Sequence, residues 1–211
     1  MTMKRFQINR GCIGLLVLVL PLLAACQRNS EGSYLIHWAA REGHTDVVHN
    51  LLAHGAAVNA ADADGKPPLW YAVDRGHDEI VALLVQSKAD IAYIDSDGRS
   101  LLHLAAARGN ANVVQHLLDA GMAVDESTEE GRSPLVYAFT RDHTEAVTVL
   151  LDAGADGAVA DEHDFSLLHW AGAHGHLEIV RQVLEAGVNP NLFDDQWRLP
   201  IHLAAEGDHV D

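Results

Sequence analysis

Cysteine is nearly absent from this chain of 211 residues: there are two, Cys12 and Cys26, and none after residue 26. The body therefore has no disulfide framework and no thiolate ligands for a structural zinc site. Basic residues are scarce, 14 Lys and Arg against 30 Asp and Glu, for a formal net charge of -16. Such acidity speaks against nucleic acid as a partner. No apolar run is long enough to span a bilayer, which takes about 20 residues; the longest uncharged one, Gly11 to Ala25, has 15. Nucleophile elbows, phosphate-cradling glycine loops and H-E-x-x-H zinc spacing are also missing. The many carboxylates recur at a fixed spacing, which marks turn and surface positions rather than an acid-base pair. These absences leave a non-catalytic globular protein, 48% hydrophobic, needing no cofactor.

A period of 33 residues organises what is there. Ile36-His37, Leu69-Trp70, Leu102-His103, Leu135-Val136, Leu168-His169 and Ile201-His202 recur without insertion, and Ala39, Ala72, Ala105, Ala138, Ala171 and Ala204 follow in step. Such a period predicts stacked units. In the unit Gly98 to Asp125, Leu102, Ala105 and Ala106 share one side of a first helix while Leu104, Ala107 and Arg108 share another. A second helix carries the apolar stripe Val113, Val114, Leu117 and Leu118. Helices of about eight to ten residues do not persist alone, so neighbouring units must cover each other. Ser100 is the expected N-cap, Pro68, Pro134 and Pro200 suit a first helical turn, and Gly109 and Gly121 suit helix ends with positive φ.

The segments R-S-L-L-H-L-A (99 to 105), R-S-P-L-V-Y-A (132 to 138), F-S-L-L-H-W-A (165 to 171) and R-L-P-I-H-L-A (198 to 204) resemble the T-P-L-H-x-A mark of the ankyrin repeat. The resemblance covers about residues 29 to 211. It implies an all-α solenoid of helix-turn-helix units with turn fingers, at about 29–61, 62–94, 95–127, 128–160 and 161–193, with a partial sixth at 194–211. Departures mark weak joints: Lys88 and Asp142 replace helix-ending glycines and Phe139 replaces an alanine, so the second and fourth units are expected to fray first.

Residues 1–25 lie outside the repeat. Lys4, Arg5 and Arg10 precede the apolar run, which ends Leu23-Ala24-Ala25-Cys26. This pattern reads as a secretory signal and resembles the cleavage box of bacterial lipoproteins. The resemblance implies removal of residues 1–25, lipidation of Cys26, a short tether over residues 26–31, and a place on the periplasmic face of the outer membrane. Lipid then does the attaching, since several acyl chains anchor a protein that one holds only marginally. With three basic residues gone, the remaining chain carries 11 basic against 30 acidic residues, -19.

Ankyrin arrays bind proteins through turn tips and the exposed, concave face of the first helices. The repeat register puts eight of those eleven cations there: Arg41, Lys66, Arg75, Arg99, Arg108, Arg132, Arg141 and Arg198. Lys66, Arg99, Arg132 and Arg198 form a turn column; Arg75, Arg108, Arg141 and His174 form a helix-end column. Guanidinium columns favour a partner with acidic or carboxylate-rich surface, unless Asp64, Asp97 and Glu130 neutralise the turn column. Trp38, Tyr71, Tyr137 and Trp170 recur beside the arginines and are either partner anchors or packing between units. Phe165 and Trp197 make the last two turns a candidate hot spot. Of 14 histidines, nine follow the register, leaving His49, His54, His116, His163 and His174; two of these, His163 and His174, with the register histidine His176 come closest to a metal-binding group, which nothing else in the spacing supports. The expected protein is a monomeric, non-enzymatic interaction module. The resemblance implies support of an envelope enzyme of oxidative-stress defence; alternatives are an immunity protein against a toxin and a histidine-based metal binder or enzyme.

Overall fold

The computed structural model describes residues 31–209, so the signal segment and Cys26 lie outside the described residues. Eleven α-helices follow one another there, joined by turns that include two isolated β-bridges, Ile94 to Ser100 and Ala160 to Ser166. The first helix of each unit is α1 (Glu31–Glu42), α3 (Pro68–Arg75), α5 (Leu101–Arg108), α7 (Pro134–Phe139), α9 (Leu167–Ala173) or α11 (Pro200–Glu206). The second is α2 (Thr45–Ala53), α4 (Asp78–Gln86), α6 (Ala111–Asp119), α8 (Thr144–Asp152) or α10 (Leu177–Glu185). From α3 and α2 onward, starts within each series fall 33 residues apart, the period of the apolar columns. The fold is the all-helical solenoid that the sequence implied.

Local chemistry sets the boundaries. Pro68, Pro134 and Pro200 occupy the first helical turn, where no amide hydrogen is needed. Ser100 and Ser166 cap α5 and α9 in extended conformations, each closing a capping box with the histidine three residues on. Gly76 and Gly109 end α3 and α5 at φ 70° and 71°. Lys88 and Asp142 take the same left-handed conformation, φ 68° and 60°, and so do Asp164 and Trp197, φ 56° and 59°, where earlier fingers have Gly65, Gly98 and Gly131.

The core is the seam between units. Leu102, Ala105 and Ala106 of α5 and Val113, Val114 and Leu117 of α6 are buried, while Leu104 and Ala107 are half-buried and Arg108 exposed. Each first helix packs on the next first helix, and α2, α4, α6 and α8 pack in series. The fourth and fifth units approach least closely. Phe139 and Trp170 fill that joint, both buried, with ring centroids 6.4 Å apart. Large rings there hold apart backbones that alanines elsewhere let together.

Histidines tie the units. Nε2 of His37, His103 and His169 lies 3.0, 3.0 and 2.9 Å from the carbonyl oxygens of Lys66, Arg132 and Arg198, 29 residues ahead. The second and fourth units have Trp70 and Val136 at this position.

Candidate partner-binding flank

Every finger is built on one side chain. Asp62 Oδ1 accepts the amide N–H groups of Asp64 and Lys66, both at 2.9 Å. Asp95, Asp161 and Asp194 repeat the arrangement with the amides two and four residues on. Thr128 makes only the second of these bonds, from Arg132 at 3.3 Å. Burial alone would raise the carboxyls of Asp62, Asp95 and Asp194, but their hydrogen bonds hold all three below the usual value.

The second carboxylate oxygen decides the fate of the turn column. Arg99 donates from Nε to Asp95 Oδ2 at 2.9 Å and reaches Asp97 at 2.8 Å. Arg198 clamps Asp194 through Nε and Nη2, both at 2.8 Å. Arg132 lies 3.4 Å from Glu130 and 2.6 Å from Glu162. Three of the four cations are thus matched by neighbouring acids, two of which, Asp97 and Glu130, the sequence had suggested. Lys66 differs because Tyr71 donates its hydroxyl to Asp62 Oδ2 at 2.6 Å and occupies the clamp. Its ammonium lies instead 3.9 Å from the centroid of the Trp70 ring. Burial and the bond to Asp62 push the Tyr71 phenol up to about 12.

The helix-end column keeps a surplus of positive charge. Arg108 donates from Nε to Asp74 at 3.0 Å, and Arg75 lies 3.6 Å from the same carboxylate. One anion is shared by two guanidiniums whose side chains are about half exposed, 48% and 53%. Arg141 lies 5.2 Å over the Tyr137 ring and donates to the Tyr137 carbonyl at 3.5 Å; no carboxylate pairs with it among the described residues. His174 sits 3.8 Å from Asp142.

The aromatic column needs correcting. Trp38 and Tyr71 are half-buried, but Tyr137 is 7% exposed and Trp170 only 2%. Tyr137 meets the His103 ring edge-on at 5.6 Å, and Trp170 is enclosed by Phe139, His174 and His176. Both pack between units and are removed from the presented surface. Phe165 is half-buried and stacks on His169 at 5.6 Å, whereas Trp197 is 79% exposed. Two aromatics were not among the expected site residues: Trp70, which replaces the box histidine and meets Lys66, and Phe193, 49% exposed beside Trp197.

The three histidines do not form one group. His163 pairs with Asp195 at 3.1 Å, while His174 and His176 stack with centroids 5.8 Å apart. Among the described residues no group of three or more His, Cys, Asp or Glu is placed to hold a metal ion, and no helix is long and apolar enough to cross a membrane.

A solenoid of short helix pairs with residue-built fingers and a charged, aromatic flank defines a class of scaffold that binds other proteins. The family model for ankyrin repeats (3 copies) matches residues 9–95 and 88–161, and that for ankyrin repeats (many copies) matches 168–211. The chain belongs to the ankyrin repeat family, and as such is a protein-protein interaction module. No curated protein matches the sequence.

Proposed function

We propose that this chain is an exported adaptor, tethered through lipid on Cys26, that grips an envelope protein by its helix-end arginines and supports that protein without catalysing a reaction itself. The observation that carries the reading is the unmatched charge of Arg75, Arg108 and Arg141: two share Asp74 and the third faces an aromatic ring, on a body that is otherwise strongly acidic. An acidic or carboxylate-rich segment complements that column, while the three arginines of the turn column are already matched from within. The basic start, apolar run and Leu23-Ala24-Ala25-Cys26 support export and lipid attachment. An enzyme of oxidative-stress defence is the kind of partner we propose, from the resemblance to exported bacterial ankyrin proteins.

Charge reversal tests the grip. The triple variant Arg75→Glu, Arg108→Glu, Arg141→Glu is expected to lose partner capture at least tenfold while its thermal midpoint stays within a few degrees, because exposed ion pairs contribute about 0–1 kcal/mol each. Undiminished capture would refute the reading. Cys26→Ser tests the tether separately: it should abolish incorporation of labelled palmitate and release the chain from the membrane fraction.

A further inference from the structure

The finger joining the fifth and sixth units carries a feature that neither the fold nor the arginine grip uses. Trp197 holds φ 59° at the position where Gly65, Gly98 and Gly131 supply positive φ elsewhere. A bulky residue is strained there, yet its ring contributes little internal packing, being 79% exposed. Beside it, Phe193 is 49% and Leu192 42% exposed, and the Phe193 and Trp197 rings lie 5.9 Å apart at 54°.

Underneath, the loop is rigid. Asp194, 5% exposed, accepts from the amides of Gln196 and Arg198 at 3.0 and 2.8 Å and clamps the Arg198 guanidinium. The Trp197 amide donates to the Asp194 carbonyl at 3.0 Å, and the Asp195 amide bonds back to the His163 carbonyl of the preceding finger at 3.0 Å. Aromatic side chains on a fixed loop lose little freedom on binding, which is what an interface anchor requires. The rim is acidic. Glu162, Asp164 and Asp195 are exposed around these two fingers, while the nearby cations Arg132 and Arg198 are held by Glu162 and Asp194.

We infer that Trp197, with Phe193 and Leu192, is an anchor that inserts into an apolar pocket of the partner protein whose rim carries Lys or Arg. The inference rests on the adaptor reading and deepens it: the partner has an acidic segment opposite Arg75, Arg108 and Arg141, and a basic-rimmed pocket opposite the last fingers. Charge complementarity selects this occupant, because an acidic aromatic tip is repelled by an anionic lipid surface and by a second copy of this acidic chain.

The test installs the photo-crosslinker p-benzoylphenylalanine at position 196, and separately at the exposed position 140 beside Arg141, of the full chain in the cells that make it, and maps each crosslinked segment by mass spectrometry. Expected from position 196 is a protein segment of apolar residues flanked by Lys or Arg. Trp197→Gly should reduce that crosslink at least tenfold, leave the one from 140 in place, and raise the thermal midpoint by about 2 °C as the strain is relieved. Asp164→Asn with Asp195→Asn should weaken the crosslink and flatten its dependence on salt. An acidic segment, a second copy, lipid alone or no crosslink from position 196 overturns the inference, as does a fall in the thermal midpoint of Trp197→Gly. If 140 still crosslinks in those cases, the arginine grip survives; if 140 fails as well, both readings fall.

Discussion

His103 Nε2 lies 3.0 Å from the carbonyl oxygen of Arg132, in the next unit, while its Nδ1 accepts the Ser100 amide at 3.1 Å. A carbonyl only accepts and an amide only donates, so the two contacts together require the neutral ring with its proton on Nε2. One side chain thereby closes a helix cap and joins two units. The ring is fully buried, so its removal leaves the Ser100 amide unpaired and takes the Nδ1 contact from the Ser100 hydroxyl. His103→Ala is expected to cost about 2–3 kcal/mol, the penalty of a buried polar group left unpaired plus a cavity. Urea unfolding checks it; a loss under about 1 kcal/mol would show that the joint does not depend on the staple.

The fourth unit shows what the missing staple leaves behind. Ser133 occupies the cap position of α7, 4% exposed, but the residue three on is Val136, and the Ser133 hydroxyl has no hydrogen-bond partner among the described residues. Val136→His places a ring at the register position of His103 and His169, where the repeat directs one nitrogen to the cap serine, Ser133, and the other toward the carbonyl 29 residues ahead, that of Phe165. The expected result is a gain of about 1 kcal/mol, or about 2–4 °C in thermal midpoint. A lower midpoint would mean that the crowding of a larger side chain at this 2% exposed position outweighs the new bonds.

Glycines at the helix ends serve two purposes that substitution can separate. Gly109 and Gly121 both have positive φ, 71° and 96°, but a Cβ on Gly109 would lie 2.5 Å from Nδ1 of His143 in the next unit, whereas one on Gly121 would meet nothing within 4 Å. Gly121→Ala is therefore expected to cost about 1 kcal/mol from backbone strain alone, and Gly109→Ala about 1 kcal/mol or more beyond that. In a double-mutant cycle, His143→Ala should recover the excess at 109 and none of the loss at 121.

Period and apolar pattern made the fold legible, because every unit meets a copy of itself: knowing which face of α5 is apolar tells what α3 and α7 present. The cap at Ser100, the prolines and the left-handed glycines followed from local rules. The flank was legible only in outline. Spacing placed Arg99, Arg132 and Arg198 on the fingers but did not show that Asp95, Glu162 and Asp194 hold them, since the clamp needs the finger already folded around its aspartate. It put Tyr137 and Trp170 in one column with Trp38, yet the large ring of Phe139 spreads the fourth joint and draws Trp170 inside. The positive φ of Asp164 left no mark in the sequence, because aspartate, unlike tryptophan, announces no conflict with a glycine position.

Stability should respond to pH in three windows. Burial lowers the His103 ring below 6.5, and burial together with His174 and His209 lowers His176, although Asp142 opposes this. A depressed folded value means that the unfolded chain takes up protons first, so this contribution is complete above pH 6.5 and is lost as pH falls through the folded values. Asp62, Asp95 and Asp194, held below 3.8, add a second loss on further acidification. Tyr71 works in the opposite direction. Its phenol is raised from 10.0 to about 12, so its contribution is complete below pH 10 and disappears as pH rises toward 12. The thermal midpoint is expected to be flat from about pH 7 to 9 and to fall on either side. His103→Gln should remove part of the slope just below pH 6.5, and Tyr71→Phe part of the slope above pH 10. A midpoint unchanged between pH 7 and 5 in the parent chain would contradict the histidine assignment, because a buried ring that must stay neutral to accept the Ser100 amide cannot be indifferent to protons there.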